Sequence, residues 1–272
     1  MTSHHLSKKF SPIIIKLGGS ILTHKKKSGF LRLVALKRIT KEISEAFVLS
    51  PRPLIIITGA GGVAHALAKR FNLAQDILST KNIHGAIATH MAVKKVQNST
   101  GQNLAYHGLK VKILQTHNFF IYTNNNLRLE NLHIIKDYLI NGITPILCGD
   151  LIHHPKKNLT VLSGDTIAMI LAKALSANEV IFASDIDGIY QTPPSPNRPK
   201  QKPIPSFTTK KLKKFLADYA SFTGNDVTGE LIGKLRNILK KPPTTSVSII
   251  NGLKPQRIKS ALMGEIIGSK IT

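Results

Sequence analysis

The sequence predicts an α/β fold in which a mainly parallel sheet is covered on both faces by helices. Three observations predict it. Short aliphatic runs alternate with longer amphipathic segments along the chain, the pattern of repeated strand–helix–strand units. The runs, such as Ile13-Ile14-Ile15 and Leu54-Ile55-Ile56-Ile57, read as buried strands. Glycine-bearing turns follow these strands or open helices, and ligands in such sheets sit at the carboxyl ends of strands.

The elements follow in order. Ile13-Ile14-Ile15 is a strand running into Lys16-Leu17-Gly18-Gly19-Ser20. Residues 31–49 form a helix, because Leu31, Val34, Ile39, Ile43 and Phe47 recur near helical spacing. Pro51 and Pro53 stop it. Residues 54–57 form a strand that ends in Thr58-Gly59-Ala60-Gly61-Gly62, and residues 63–71 a helix. Residues 86–106 are helical and 111–114 a strand. The three asparagines within 119–127 mark a hairpin turn. Residues 129–140 read as a helix and 143–148 as a strand, followed directly by Gly149-Asp150. Residues 151–162 read as a hairpin turning at Lys156-Lys157-Asn158, and Ser163-Gly164-Asp165 opens a helix to about residue 175. The strand 180–183 runs into Ser184-Asp185-Ile186-Asp187-Gly188, and six prolines make 192–205 a surface loop. Helices over 208–220 and 229–240, a strand over 247–250 and a helix over 255–262 complete the chain.

Composition narrows the function classes. With 272 residues, 42% of them hydrophobic, the chain supports one sizeable core or two tightly joined lobes. A single Cys allows no internal disulfide, which excludes a stapled secreted scaffold and points to a reducing, cytoplasmic setting. No apolar run approaches the roughly 18 residues a spanning helix needs. Residues 1–10 are polar and basic, without the apolar stretch of a secretory signal. Lys and Arg number 38 against 14 Asp and Glu, a formal charge of +24. That balance suits anionic partners: phosphates, nucleic acid or an anionic membrane surface. Only eight of the bases are Arg, and the lysines are scattered over the whole length. This reads as a lysine-rich solvated surface, since nucleic-acid readers favour Arg; neither nucleic acid nor membrane is expected as a partner.

The glycine turns carry the chemistry. Gly18-Gly19 and Gly59-Ala60-Gly61-Gly62 let backbone N–H groups approach an anion, and Lys16 adds a full charge beside the first. Neither turn is a P-loop or a dinucleotide fingerprint. Two such loops on nearby strands suit a ligand with two phosphates, or two phosphorylated ligands face to face. His65 falls in the first helical turn behind the second loop. Asp150, Asp165, Asp185, Asp187 and Asp226 stand beside glycines or in strand-end turns, although acids are scarce. They serve either as turn and N-cap residues or to orient lysines around phosphates. Lys234, after Asp226-Val227-Thr228-Gly229, is either a solvated helical lysine or one projected over the same site.

Together these residues resemble the amino acid kinase superfamily and, within it, the isopentenyl phosphate kinases. The resemblance rests on 16–20 with Thr23-His24-Lys25, on Gly59 through His65, on Gly149-Asp150, and on Leu162-Ser163-Gly164-Asp165. It continues through 181–190, Asp226 to Gly229 with Lys234, and 250–255 with Gly268, and so spans about residues 12–271. It implies a three-layer αβα sandwich over 12–272 behind a basic tail of 1–11. An acceptor-binding N-lobe would reach to about residue 160 and an ATP-binding C-lobe would follow from about 161, usually in a homodimer. The implied reaction is phosphoryl transfer from ATP, with Mg2+, to isopentenyl phosphate, giving isopentenyl diphosphate for isoprenoid precursor synthesis.

The resemblance also implies residue roles. Lys16, Lys25, His65, Asp165 and Lys234 form the implied catalytic set. Lys16 bridges the transferred group, Lys25 holds donor phosphates or the transferring group, Lys234 reaches the nucleotide's outer phosphates, His65 binds the acceptor phosphate, and Asp165 orients Lys16 and Lys25. Nucleotide contacts are implied at Lys16, Gly18, Gly19, Ser20, Ser184, Asp185, Asp187, Gly188, Tyr190, Gly229 and Lys234. Acceptor contacts are implied at Gly61, Gly62, His65, Gly149, Asp150, Ser163 and Gly164, and no protein ligand to the metal is expected. A phosphate monoester is already largely ionised at neutral pH and needs no strong base; cations and N–H groups must instead bring two anions together.

Some positions depart from the pattern. Thr58 stands where the second loop usually begins with His, Ala60 replaces a Gly, and Val63-Ala64 replace Phe-Gly. His24 and Thr166 stand where Asp is common, and Glu230-Leu231 replace Gly-Met. These departures bear on the acceptor. They leave two alternatives: a fosfomycin-type or other small-molecule kinase of the superfamily, and a catalytically inactive basic protein that binds nucleic acid or another polyanion.

Overall fold

Consecutive isoleucines put an apolar side chain on both faces of a strand, so these runs need an apolar layer on each side, and the helices supply both layers. The computed structural model describes residues 11–24, 30–59, 61–71, 73, 80–124, 126–156, 158–192, 201–222 and 229–272. The elements are β1 (Ile13–Leu17), α1 (Gly19–Leu22), α2 (Leu33–Leu49), β2 (Leu54–Thr58), α3 (Gly61–Arg70), α4 (Thr80–Tyr106) and β3 (Val111–Ile113). Then come β4 (Phe120–Thr123), β5 (Asn126–Leu129), α5 (Leu132–Ile140), β6 (Thr144–Cys148), β7 (Asp150–His154), β8 (Asn158–Leu162), α6 (Gly164–Ala174) and β9 (Glu179–Ser184). The chain closes with β10 (Ser206–Phe207), α7 (Thr209–Phe222), α8 (Gly229–Ile238), β11 (Ser246–Asn251), α9 (Arg257–Leu262) and β12 (Ser269–Ile271).

Among the described residues, one eight-stranded sheet runs β10-β12-β11-β9-β1-β2-β6-β3, and only the β11–β12 pairing is antiparallel. Two hairpins, β4–β5 and β7–β8, stand apart from it. Alternate residues of each central strand feed opposite layers. Ile14, Ile55, Ile57 and Phe182 pack with α5, α6, α7 and α8. Ile13, Ile15, Ile56 and Ile181 pack with α2, α4 and α9. Each fully buried isoleucine contributes about 1.5–3 kcal/mol, so the sheet is held from both sides. The result is the expected three-layer αβα sandwich.

The register places Leu17, Thr58, Cys148, Ala183 and Ile250 at one level. The turns after five parallel strands therefore meet on one rim. Several elements differ from the sequence reading. Leu31 bridges to Thr23, so α2 begins at Leu33. The helix expected from residue 86 begins at Thr80. Leu129 pairs with Phe120 in the hairpin, so α5 begins at Leu132, after Asn131 turns the chain at φ 52°. β10 and β12 were not expected; at two and three residues they carry no period.

Candidate active site

The two glycine turns are pressed backbone to backbone. A Cβ on Gly19 would lie 2.4 Å from the Gly61 nitrogen, and one on Gly59 would lie 2.5 Å from the Gly19 nitrogen. Thr23 ties them: its hydroxyl donates to the Gly19 carbonyl at 2.9 Å and accepts the Gly62 amide at 2.9 Å. Gly61 sits at φ +75°, where a side chain would also strike Thr23. The loop thus needs glycine both for its conformation and for the contact.

A lysine-bound carboxylate lies behind these turns. Ser163 caps α6 by accepting the Thr166 amide at 3.1 Å, which sets Asp165 in the first helical turn. A Cβ on Gly164 would lie 3.1 Å from Ile57 Cγ2, so that glycine lets the start of α6 pack close against β2. Lys16 Nζ sits 2.7 Å from one Asp165 oxygen and Lys234 Nζ 2.7 Å from the other. Lys16 and Lys234 are both buried, and the Lys234 ammonium also lies 5.0 Å from the Phe182 ring centre. Burial alone would raise the Asp165 carboxyl, but Lys16 and Lys234 outweigh it and hold it below the usual carboxylate range. The trio joins two cations to one anion, an arrangement that attracts phosphate.

This trio lines one end of a cavity of about 310 Å³. Gly19, Ser20, Gly61, Gly62, Gly149, Ser163 and Gly164 line it too. The other end is apolar, walled by Ala64, Ala68, Thr89, Val93, Leu151 and Val161. Thr89 and Val93 come from α4. Asp150 also borders the cavity, but its carboxylate is fully buried against His90 Nδ1 (2.9 Å), Lys94 Nζ (3.5 Å) and the Leu151 amide (2.8 Å). Cys148 beside it is pushed up to about 11 by burial, so its thiol is no nucleophile.

The 184–190 turn stands on the same rim but lines a different cavity, of about 260 Å³, with Lys202, Lys254 and Arg257. Asp187 accepts from Lys254 Nζ at 2.7 Å, Asn251 Nδ2 at 3.2 Å and the Tyr190 hydroxyl at 3.4 Å. Burial would raise its carboxyl; the Lys254 and Asn251 bonds outweigh that and lower it. Ser184 links the two regions: its Cα would lie 3.5 Å from a Cβ on Gly18, and its carbonyl accepts the Gly252 amide at 2.8 Å. A Cβ on Gly188 would lie 2.6 Å from Ser269 Oγ, so that glycine serves packing.

The structure thus gathers Lys16, Gly19, Ser20, Gly61, Gly62, Gly149, Asp150, Ser163, Gly164, Asp165 and Lys234 around one cavity. Gly18 packs against Ala183 and Ser184, and Asp187 lines the other cavity. Gly229 opens α8. Lys25, Asp226, the His65 side chain and most of the proline-rich loop lie outside the described residues. The motifs do not mark Thr23 as the tie between turns, nor His90 and Lys94, for which i,i+4 spacing on one helix is the available signal. Among the described residues, no group of three or more His, Cys, Asp or Glu could hold a metal ion.

A buried cationic cluster between paired glycine turns, at the rim of a parallel sheet and beside an apolar recess, defines a small-molecule phosphotransferase. The chain belongs to the amino acid kinase family, whose model matches residues 11–240. It is 30% identical to an isopentenyl phosphate kinase of Methanothermobacter thermautotrophicus, over 96% of this chain and 98% of that protein. It is 27% identical to one of Methanocaldococcus jannaschii, over 95% and 97%. A solved isopentenyl phosphate kinase structure superposes with a TM-score of 0.78 at 26% identity, covering 96% of this chain and 100% of that one.

Proposed function

We propose that the protein transfers the γ-phosphoryl group of ATP to isopentenyl phosphate, giving isopentenyl diphosphate and ADP. The observation that carries this reading is the pair Lys16 and Lys234 on opposite oxygens of Asp165, beside an apolar recess. The cationic end suits two phosphorylated reactants, and the recess suits a short hydrocarbon tail. The relatives bearing this activity cover nearly the whole chain.

In this reading the acceptor lies against the N-terminal half, to about residue 160, and the nucleotide against the C-terminal half. An acceptor phosphate oxygen forms a bond to the γ-phosphorus as the bond to the β–γ bridging oxygen breaks, and ADP leaves with that electron pair. Lys16 and Lys234 neutralise the charge shared among the oxygens, and Asp165 holds both ammonium groups without taking a proton. The amides of the paired glycine turns position the phosphates. Lys25 serves the transferring group and His65 the acceptor phosphate. In this reading Mg2+ would be carried by the nucleotide phosphates, where it would neutralise their charge. The same reading takes the protein as a cytoplasmic homodimer; no helix among the described residues is long and apolar enough to cross a membrane.

An ADP-release assay with isopentenyl phosphate, dimethylallyl phosphate, fosfomycin and glutamate tests the acceptor. The highest kcat/KM is expected with isopentenyl phosphate. Preference for fosfomycin would overturn the acceptor, and salt-sensitive retention of nucleic acid without any ADP release would overturn the reaction.

A further inference from the structure

Arg38 and Glu42 lie one turn apart on α2, in the helical layer opposite α6. Glu42 is only 3% exposed. Its carboxylate pairs with Arg38 and accepts the amides of Gln256 at 3.0 Å, Ile258 at 3.1 Å and Lys259 at 3.4 Å. The Arg38 guanidinium donates to three successive carbonyls, those of Gly252 (2.7 Å), Leu253 (3.1 Å) and Lys254 (3.3 Å). The connection from β11 into α9 is thus gripped at both ends by one ion pair. That connection also begins with Asn251 and carries Lys254, the two residues that meet the same Asp187 oxygen.

Burying this pair costs desolvation that an apolar pair would avoid. What it adds is geometry, because a planar guanidinium fixes the carbonyls it meets. We infer that Arg38 and Glu42 are positioning residues for the nucleotide side of the site: they set the 251–254 turn, and through it the place of Asn251 and Lys254 on Asp187. The inference rests on the reading that ATP lies along the 184–190 turn.

The test is ATP affinity by calorimetry, with isopentenyl phosphate affinity and the melting temperature measured alongside. Glu42 keeps its three amide donors when Arg38 is cut back, so Arg38→Ala is expected to fold. ATP binding should weaken about tenfold, inside the roughly hundredfold cost of a 1 Å misplacement, while acceptor binding stays within about twofold. Arg38→Lys, which keeps a charge and fewer donors, should fall between, and it decides the question by the same comparison should Arg38→Ala not fold. In an Asp187→Ala background, Arg38→Ala should add nothing, because its effect passes through Asp187. Additive losses, equal losses of both ligands, or wild-type ATP affinity in both Arg38 variants would overturn the inference while leaving the nucleotide placement standing. Wild-type ATP affinity in Asp187→Ala itself would remove the placement, and the inference with it.

Discussion

Lys16 and Lys234 reach one carboxylate from opposite sides, each ammonium 2.7 Å from a different oxygen of Asp165. The first extends from β1 and the second from α8. The meeting exists only in the folded chain, and its removal should cost both stability and turnover. Asp165→Asn leaves two buried cations without their anion. A loss of about 3–5 kcal/mol in urea unfolding is expected, as for a broken buried pair, with kcat lowered at least about a hundredfold.

The same carboxylate sets an acid limit. Its folded pKa is lowered, so its contribution is complete above the unfolded value of about 3.9 and is lost as pH falls through the lower folded value. The gap in urea midpoint between wild type and Asp165→Asn should be wide at neutral pH and narrow in acid. A gap that widened in acid would contradict the assignment.

The Thr23 hydroxyl holds the glycine turns together, so Thr23→Val should expose its worth. The part-buried Gly62 amide loses its acceptor, a cost of about 1 kcal/mol. The turn moves with it, and kcat/KM for both substrates should fall. Thr23→Ser, which keeps the oxygen, should retain most of each.

Glycine replacements should separate by contact. Gly19→Ala drives a Cβ to 2.4 Å from the Gly61 nitrogen, and a loss of about 1–3 kcal/mol or more is expected. Gly233, within α8, has nothing within 4 Å of its would-be Cβ and no positive φ. Gly233→Ala should raise the melting temperature, by an amount matching up to about 1 kcal/mol of helix propensity.

The apolar recess makes its own prediction. Val161 is half exposed at its edge, so a large ring there narrows the recess without disturbing the core. Val161→Trp should raise the acceptor KM about tenfold, the usual scale for a misfitted apolar pocket, and leave the ATP KM unchanged. A rise confined to ATP would move the acceptor elsewhere.

The strands and the glycine rim were legible because their signals are local: aliphatic runs mark strands, and glycines mark close approach. Leu129 fits the helical spacing of Leu132, Ile135 and Leu139, yet its pairing with Phe120 prevails. The convergence of Lys16 and Lys234 on Asp165 joins distant segments; the resemblance implied Lys16 and Lys25 for that carboxylate, and Lys234 as its second partner emerges only in the folded chain. Thr23 and the Arg38–Glu42 pair were illegible for another reason. A threonine after a turn and an i,i+4 Arg–Glu pair both read as ordinary surface features, and only their tertiary partners give them roles.

The central claim is that this lysine-lined cleft passes a phosphoryl group between ATP and isopentenyl phosphate, and phosphorus NMR of that mixture tests it most directly. The wild-type protein should convert the monoester signal to a diphosphate pair while ATP becomes ADP, and Lys16→Met, folded to the same extent, should leave both reactants in place. An unchanged spectrum with the wild type, or conversion by Lys16→Met at the wild-type rate, would contradict the account.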